Sequence, residues 1–387
     1  MRNLISAMKL FPDPPVTAIV AWFSMALMGH AAVDTVTTAA DSGPGSLRNA
    51  IAAASPGDTI VFSAALAGQT IQLDSGELLI SQDVTIDASA LAGGIFIDGG
   101  GGSRVLEIGD ADVTMNSLTL TNGYANGDVG GGVLLDDATT SLSASNCVFC
   151  GNSAEFGGGI CAYGILTLDG CTVSGNSAIV FGGAVYAYGG DVSGNNCTFS
   201  GNSVTDGGGA IDGEFSGVTL ENSTVSDNVA SIFGGGVDSD NEGTLYLTNC
   251  AFLGNSSGTG GALSVQTPAT AINCTFSDNI STNGAGGGIA NYDTLTLNNC
   301  SFFANSATNA NGQGGGVLNS GILTMSNCTL FGNSTPNGSG GGIYNADTLT
   351  AANCTLADNA AANGSGGGLA SFTATNVLIN CTISSNS

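Results

Sequence analysis

"NCTFSGNS" occupies residues 196–203, and near-copies of it recur through the rest of the 387-residue chain. The Cys of the motif falls at Cys147, Cys171, Cys197, Cys250, Cys274, Cys300, Cys328, Cys354 and Cys381, with Ser223 in the place between 197 and 250. Five residues after each stands an Asn: Asn152, Asn176, Asn202, Asn228, Asn255, Asn279, Asn305, Asn333, Asn359 and Asn386. A second element, Gly-Gly-(Gly/Ala)-(Val/Ile/Leu), starts at Gly130, Gly157, Gly182, Gly208, Gly234, Gly260, Gly286, Gly314, Gly340 and Gly366. Successive copies are 24 to 28 residues apart, and the variation is confined to the stretches between the two elements. A period of this size is the signature of stacked coils.

One copy reads as three short strands. "GGGIAN" (286–291) is the first, with Ile289 inward; "TLTLN" (294–298) is the second, with Leu295 and Leu297 inward at the strand period of two. "CTF" (274–276) represents the third, with Cys274 and Phe276 inward and Thr275 outward. The inward parity skips one place at the Asn before the Cys, which implies a corner. Each strand has its counterpart one repeat on, so the sheets are parallel and each rung adds about 4.8 Å of height. The expected fold is therefore all-β: parallel sheets wound as a coil, a β-helix with three short strands per rung. In this fold the Asn after the third strand sits at a turn and bonds rung to rung as a ladder. The double Gly serves a second turn by positive φ or close backbone approach. The Cys fills an interior column as a small, readily buried residue.

Composition agrees. Gly accounts for 62 residues, aromatics for 6% and charged residues for only 9%, against 42% apolar. Such a mixture fits a repetitive solenoid better than a globule with one bulky core. The first 31 residues read as an export signal: Arg2 and Lys9 precede the apolar run 16–28, and "GHA" places small residues before a cut after Ala31. Removing it leaves 29 acids against Arg48 and Arg104, a net charge of −27, with no Lys or His. That charge disfavours nucleic acid and anionic lipid as partners. No later stretch is apolar enough to span a bilayer as a helix. Residues 33–58 read as an N-terminal segment ahead of the coil. Residues 59–129 read as irregular first rungs and 130–387 as regular repeats. The chain stops inside the motif at Ser387, which predicts continuation of the repeats or a cover for that end.

The pairing of "GGAV", "GGAI" and "GGAL" with "FSGN", "FLGN" and "FSDN" resembles the repeats of chlamydial polymorphic outer-membrane proteins and related bacterial β-helix proteins. Phe149, Phe199, Phe252, Phe276 and Phe302 keep the Phe-x-x-Asn form. Upstream, "DSGPGSLRNAIAAASPGDTIVF" (41–62) is similar to a CSLREA-type opening segment, with Gly45 where that motif has Cys. The resemblance implies a right-handed parallel β-helix of the pectate-lyase type, with "SLRNAIAAA" (46–54) as a short helix in an N-terminal cap segment, 33–58. It also implies a secreted or outer-membrane surface protein of a bacterium, adhesin-like, whose partner is a host or environmental surface glycan or protein.

Chemistry has few places to reside. A lyase needs a base, and Arg104 is the sole basic residue near the repeats. Asp212 and Asp238 share a register, each four residues after the first Gly of its repeat, with Glu214, Asp240 and Glu242 close by. These acids fit three readings. One is a solvated acidic stripe. Another is a calcium site, because that ion takes oxygen ligands alone. The third is a glycoside hydrolase using two carboxyls, with Asp212, Asp238 and Asp240 as candidates. The Cys column reads as buried free thiols, since side chains stacked in register point the same way. Cys150 and Cys161 lie outside that column and form the expected oxidisable pair.

Overall fold

The computed structural model describes residues 31–310 and 312–387. Residues 1–30 of the expected export signal lie outside the described residues. Nearly every element is a short strand paired in parallel with its counterpart one repeat away. Thr294–Asn298, for example, pairs with Ala269–Ile272 on one side and Ile322–Ser326 on the other. Among the described residues the strands form four parallel sheets, of twelve, fourteen, thirteen and eight strands. The result is a solenoid of about fourteen turns.

A single rung shows the path. Ile289–Asn291 lies in the twelve-stranded sheet, Thr294–Asn298 in the fourteen-stranded sheet and Ser301–Phe303 in the thirteen-stranded sheet. These are the three strands read from the repeat. Ser306–Ala307 then adds a fourth, in the eight-stranded sheet. Strands of that sheet are two to six residues long and follow the ladder Asn, too short for a period of two to reveal them.

The corners have clear causes. Asn299, before Cys300, has φ 54°, and Asn273, before Cys274, has the same value. Asn tolerates this left-handed region better than most residues. The ladder Asn does not itself occupy that region, contrary to the turn role expected of it; the residue ahead does, as at Gly254, Asp278 and Ala304 (φ 62°, 57° and 52°). The two glycines of the other turn divide the work. Gly286 has φ 61°, while a side chain on Gly287 would collide with the carbonyl of Gly315 in the next rung.

The ladder Asn is wholly buried and fully bonded. Asn279 Nδ2 donates to Asn305 Oδ1 and to the Phe252 carbonyl, both at 2.9 Å. Its Oδ1 accepts from Asn255 Nδ2 and from the Asn255 backbone N–H, both at 3.0 Å. One side chain thus satisfies groups in three successive rungs, which removes the cost of burying an amide. Phe252, Phe276 and Phe302 stack in the interior with centroids 5.1 and 4.8 Å apart. The column cysteines are free thiols whose sulfurs lie against backbone carbonyls, as Cys300 does at 3.4 Å from Ala271 O.

Cys150 and Cys161 do not pair. Cys150 lies in the thirteen-stranded sheet, with its sulfur 3.5 Å from Thr121 Oγ1. Cys161 lies in the twelve-stranded sheet, buried beside Leu134 and Tyr186. Helix α1 (Leu47–Ala53) forms where the sequence places it. Ser46 caps it by accepting from the Asn49 N–H, and Leu47 and Ile51 bury its apolar face on the first rungs. Among the described residues, no helix is long and apolar enough to cross a membrane.

Candidate functional site

The outer face of the twelve-stranded sheet carries the unusual chemistry. Three consecutive rungs place Val185–Tyr188, Ile211–Glu214 and Val237–Asp240 side by side. Their register aligns Tyr186 with Asp212 and Asp238, and Tyr188 with Glu214 and Asp240. Alternation sends Ile211 and Val237 into the core and turns Asp212 and Asp238 outward. Outward does not mean exposed, however. A neighbouring column from the eight-stranded sheet and its turn leans over this face, running Phe156, Phe181, Gly207, Phe233.

Gly207 breaks that column of rings, and the two aspartates occupy the opening. A methyl group on Gly207 would lie 2.6 Å from Asp238 Oδ2 and 2.9 Å from Asp212 Oδ2, so any side chain there would displace them. Asp212 is 5% exposed and Asp238 3%. Asp238 Oδ1 has no hydrogen-bond partner, and neither does Ser264 Oγ one rung on. Burial, then the charge of Asp238, raises the Asp212 carboxyl well above the usual carboxylate range. Burial is also the main cause that pushes Asp238 up to about 7. Two carboxylates this close and this dry do not both ionise readily, and they titrate as a pair.

The structure brings together four of the five acids singled out from the sequence. Glu214 and Asp240 flank the buried pair in register and are partly exposed. Glu214 Oε2 accepts from the Tyr186 hydroxyl at 2.7 Å, and its Oε1 accepts from Asn241 Nδ2 at 3.1 Å. Glu242 stands apart. It sits in the next turn at φ 65° and lines a separate groove of about 510 Å³ with Asp191, Phe215 and Tyr246.

Among the described residues, no three His, Cys, Asp or Glu side chains form a metal-binding group. The buried pair faces the backbone of Gly207. Arg104 is unsuited as a lyase base. It is buried among Glu77, Glu107 and Asp128 at 2.7–2.9 Å, and its Nε donates to the carbonyls of Val129 and Gly130. The other cation of the coil, Arg48, pairs with Asp41 at 2.7 Å.

The sequence reading missed the aromatic half of this face. Tyr186 contacts Phe156 and Phe181, with centroids 5.4 and 5.9 Å away, and Tyr188 meets Tyr163 and Phe215 edge-on at 6.2 and 5.6 Å. A cavity of about 180 Å³ opens between Val129, Phe156, Tyr163, Tyr186 and Tyr188. The available signal was "CAYG" (161–164) followed by "YAYG" (186–189), which puts Tyr163 and Tyr188 at one place in successive repeats.

Residues 162–330 match the family described as right handed beta helix region, and residues 146–163 match the Chlamydia polymorphic membrane protein repeat. The chain is a right-handed parallel β-helix. Its repeats resemble those of the polymorphic membrane proteins. No curated protein sequence matches this β-helix. Similar solved structures include pectate lyase Pel9A, at 16% identity and a TM-score of 0.43 over 84% of this chain and 78% of that one. A mannuronic acid specific polysaccharide family 6 lyase from human gut microbiota is 9% identical, with a TM-score of 0.39 over 90% and 83%. Jun a 1, the major allergen from cedar pollen, is 13% identical, with a TM-score of 0.38 over 58% and 67%.

Proposed function

We propose that this β-helix is a bacterial surface or secreted protein that binds its target, a surface glycan or protein, without transforming it. The repeat match to chlamydial membrane proteins supports the surface location. The observation that carries the non-enzymatic part is the placement of the acidic pair. Asp212 and Asp238 are turned into the gap beside Gly207 and shut from solvent, where a glycosidic bond does not reach them. Meanwhile the exposed parts of the same face, Tyr188 and Phe215, are the side chains suited to contact. In this reading residues 1–31 direct export, the capped coil is a rigid support, and the outer face makes the contacts.

One observation favours a second reading. Burial pushes Asp238 up to about 7 beside two more exposed carboxyls, Asp240 and Glu214, and a raised carboxyl near a second one is what the general acid of a glycoside hydrolase requires. The two readings separate in one experiment. The full-length chain and its Asp212→Asn/Asp238→Asn variant are incubated with a panel of neutral and acidic polysaccharides, measuring retention and new reducing ends. Retention of both proteins with no chain cleavage is the expected result. Reducing ends released by the parent and lost in the variant would establish the hydrolase instead.

A further inference from the structure

The cavity among the rings has a wall and a field that point to one chemistry. Four aromatic side chains, Phe156, Tyr163, Tyr186 and Tyr188, surround about 180 Å³, with Val129 completing the lining. Tyr186 is buried and anchored through its hydroxyl to Glu214, so its ring is fixed from behind. Tyr188 is 44% exposed and forms the outer lip. The ring edges meet at tilted and perpendicular angles, 40° between Phe156 and Tyr186 and 76° between Tyr163 and Tyr188. Rings so inclined do not stack face on face, and aromatic surface, whose faces carry the negative side of the quadrupole, makes up most of the lining.

The surrounding charge has one sign. The carboxylates of Asp128 and Asp136 act on Tyr163 and that of Glu214 on Tyr186; all three oppose ionisation of these phenols, beneath the larger effect of burial. Arg104 is the one cation nearby, and three carboxylates engage it, which leaves its neighbourhood net negative. An anion is repelled here, and a strongly hydrated ammonium loses its water to a wall with few oxygens. A cation that carries its charge on methyl groups meets both conditions, because it is attracted to ring faces and needs no hydrogen-bond acceptor.

We propose that the cavity lined by Phe156, Tyr163, Tyr186 and Tyr188 is a binding site for a methylated ammonium group of the choline type. It gives the surface-binding reading a target chemistry and rests on that reading for its biological sense. The same group can arrive as free choline or on a phosphocholine head group displayed by a surface.

The test is calorimetric titration of the full-length chain with choline and with 3,3-dimethylbutan-1-ol, its uncharged isostere, at fixed salt and neutral pH. Choline is expected to saturate a single site and to bind at least about tenfold more tightly than the isostere. Tyr188→Ala is expected to weaken choline binding about tenfold with an unchanged melting temperature, and Tyr188→Phe to restore it. Equal affinity for the two ligands, or no saturable choline binding at about ten millimolar, would overturn the proposal. Should Tyr188→Ala fold poorly, Tyr163→Leu tests the same wall and is expected to lose the same preference. Sedimentation with phosphatidylcholine vesicles identifies the source: capture in a Tyr188-dependent manner assigns a displayed head group, and choline binding without capture assigns the free molecule, each upholding the site. Loss of choline binding with target retention intact overturns the cage alone. Choline binding without any retained target overturns the adhesive reading alone.

Discussion

Rungs 244–359 and rungs 160–243 share one coil and differ in how the twelve-stranded sheet is finished. In the later rungs that sheet turns Ser264, Ala290, Leu318 and Tyr344 outward, and two residues after the inward Ile289 a second polar ladder begins, where Asn291, Asn319 and Asn345 bond in series at 2.7 Å. In the earlier rungs the ladder positions hold Ala187, Gly213 and Ser239, and the outward positions hold Tyr186, Asp212 and Asp238. Repetition is self-satisfying: an Asn amide both donates and accepts, so each copy completes its neighbour. A carboxylate only accepts, so two in register repel and leave an atom such as Asp238 Oδ1 without a partner. Departure from the repeat on this face therefore has a stability cost that function must account for.

The largest effect is expected where repetition is most complete. Asn279→Ala would orphan the Asn255 amide and the Phe252 carbonyl inside the coil. At about 1–3 kcal/mol for each buried group, it should destabilise by about 3 kcal/mol or more. Chemical denaturation of the full chain measures it, and a loss below about 1 kcal/mol would show that water replaces the amide.

Asp238→Asn addresses the irregular rungs. Because the folded carboxyl is raised to about 7, its contribution to stability is complete below the unfolded value near 4 and falls as pH rises toward 7. The parent should therefore melt at progressively lower temperature between about pH 4 and pH 7, while the variant, which keeps only the buried Asp212, falls less steeply and gains on the order of a few kcal/mol at neutral pH. Parallel melting curves for the two proteins across that range would mean that the pair is not strained.

The smallest effect belongs to the outer ladder. Asn299 Nδ2 donates to Asn273 Oδ1 at 3.2 Å on the exposed surface, where water serves either group. Asn299→Ala should cost about 0.5 kcal/mol or less, apart from the strain of its left-handed backbone. A cost matching that of Asn279→Ala would erase the distinction between inner and outer ladders.

The coil itself was plainly legible from the sequence. Cys274, Phe276, Leu295 and Leu297 announced their inward direction because a period of two within a period near 26 leaves no other arrangement. The helix at Leu47–Ala53 was expected only through the likeness of the opening segment to a known motif; the cap at Ser46 and the buried Leu47 and Ile51 are its physical cause. What remained hidden depended on contacts between columns. The fourth sheet has strands as short as two residues and writes no period. Asp212 and Asp238 looked like surface acids because strand parity gives direction but not cover, and their cover comes from the turn around Gly207. Tyr163, Tyr186 and Tyr188 were passed over because each is an ordinary strand residue alone; only the stacking of successive rungs makes them a wall.

The parallel register between neighbours 24 to 28 residues apart also sets how the molecule yields to force. Tension applied to the two ends of the coil loads the strand ladders at the outermost rung first, because each rung bonds only to the ones beside it. Peeling one rung of about 26 residues frees roughly 90 Å of extended chain, and the next rung then presents the same resistance. The coil is thus a spring that lengthens in equal steps under load, with the buried Asn ladder as the catch released at each step.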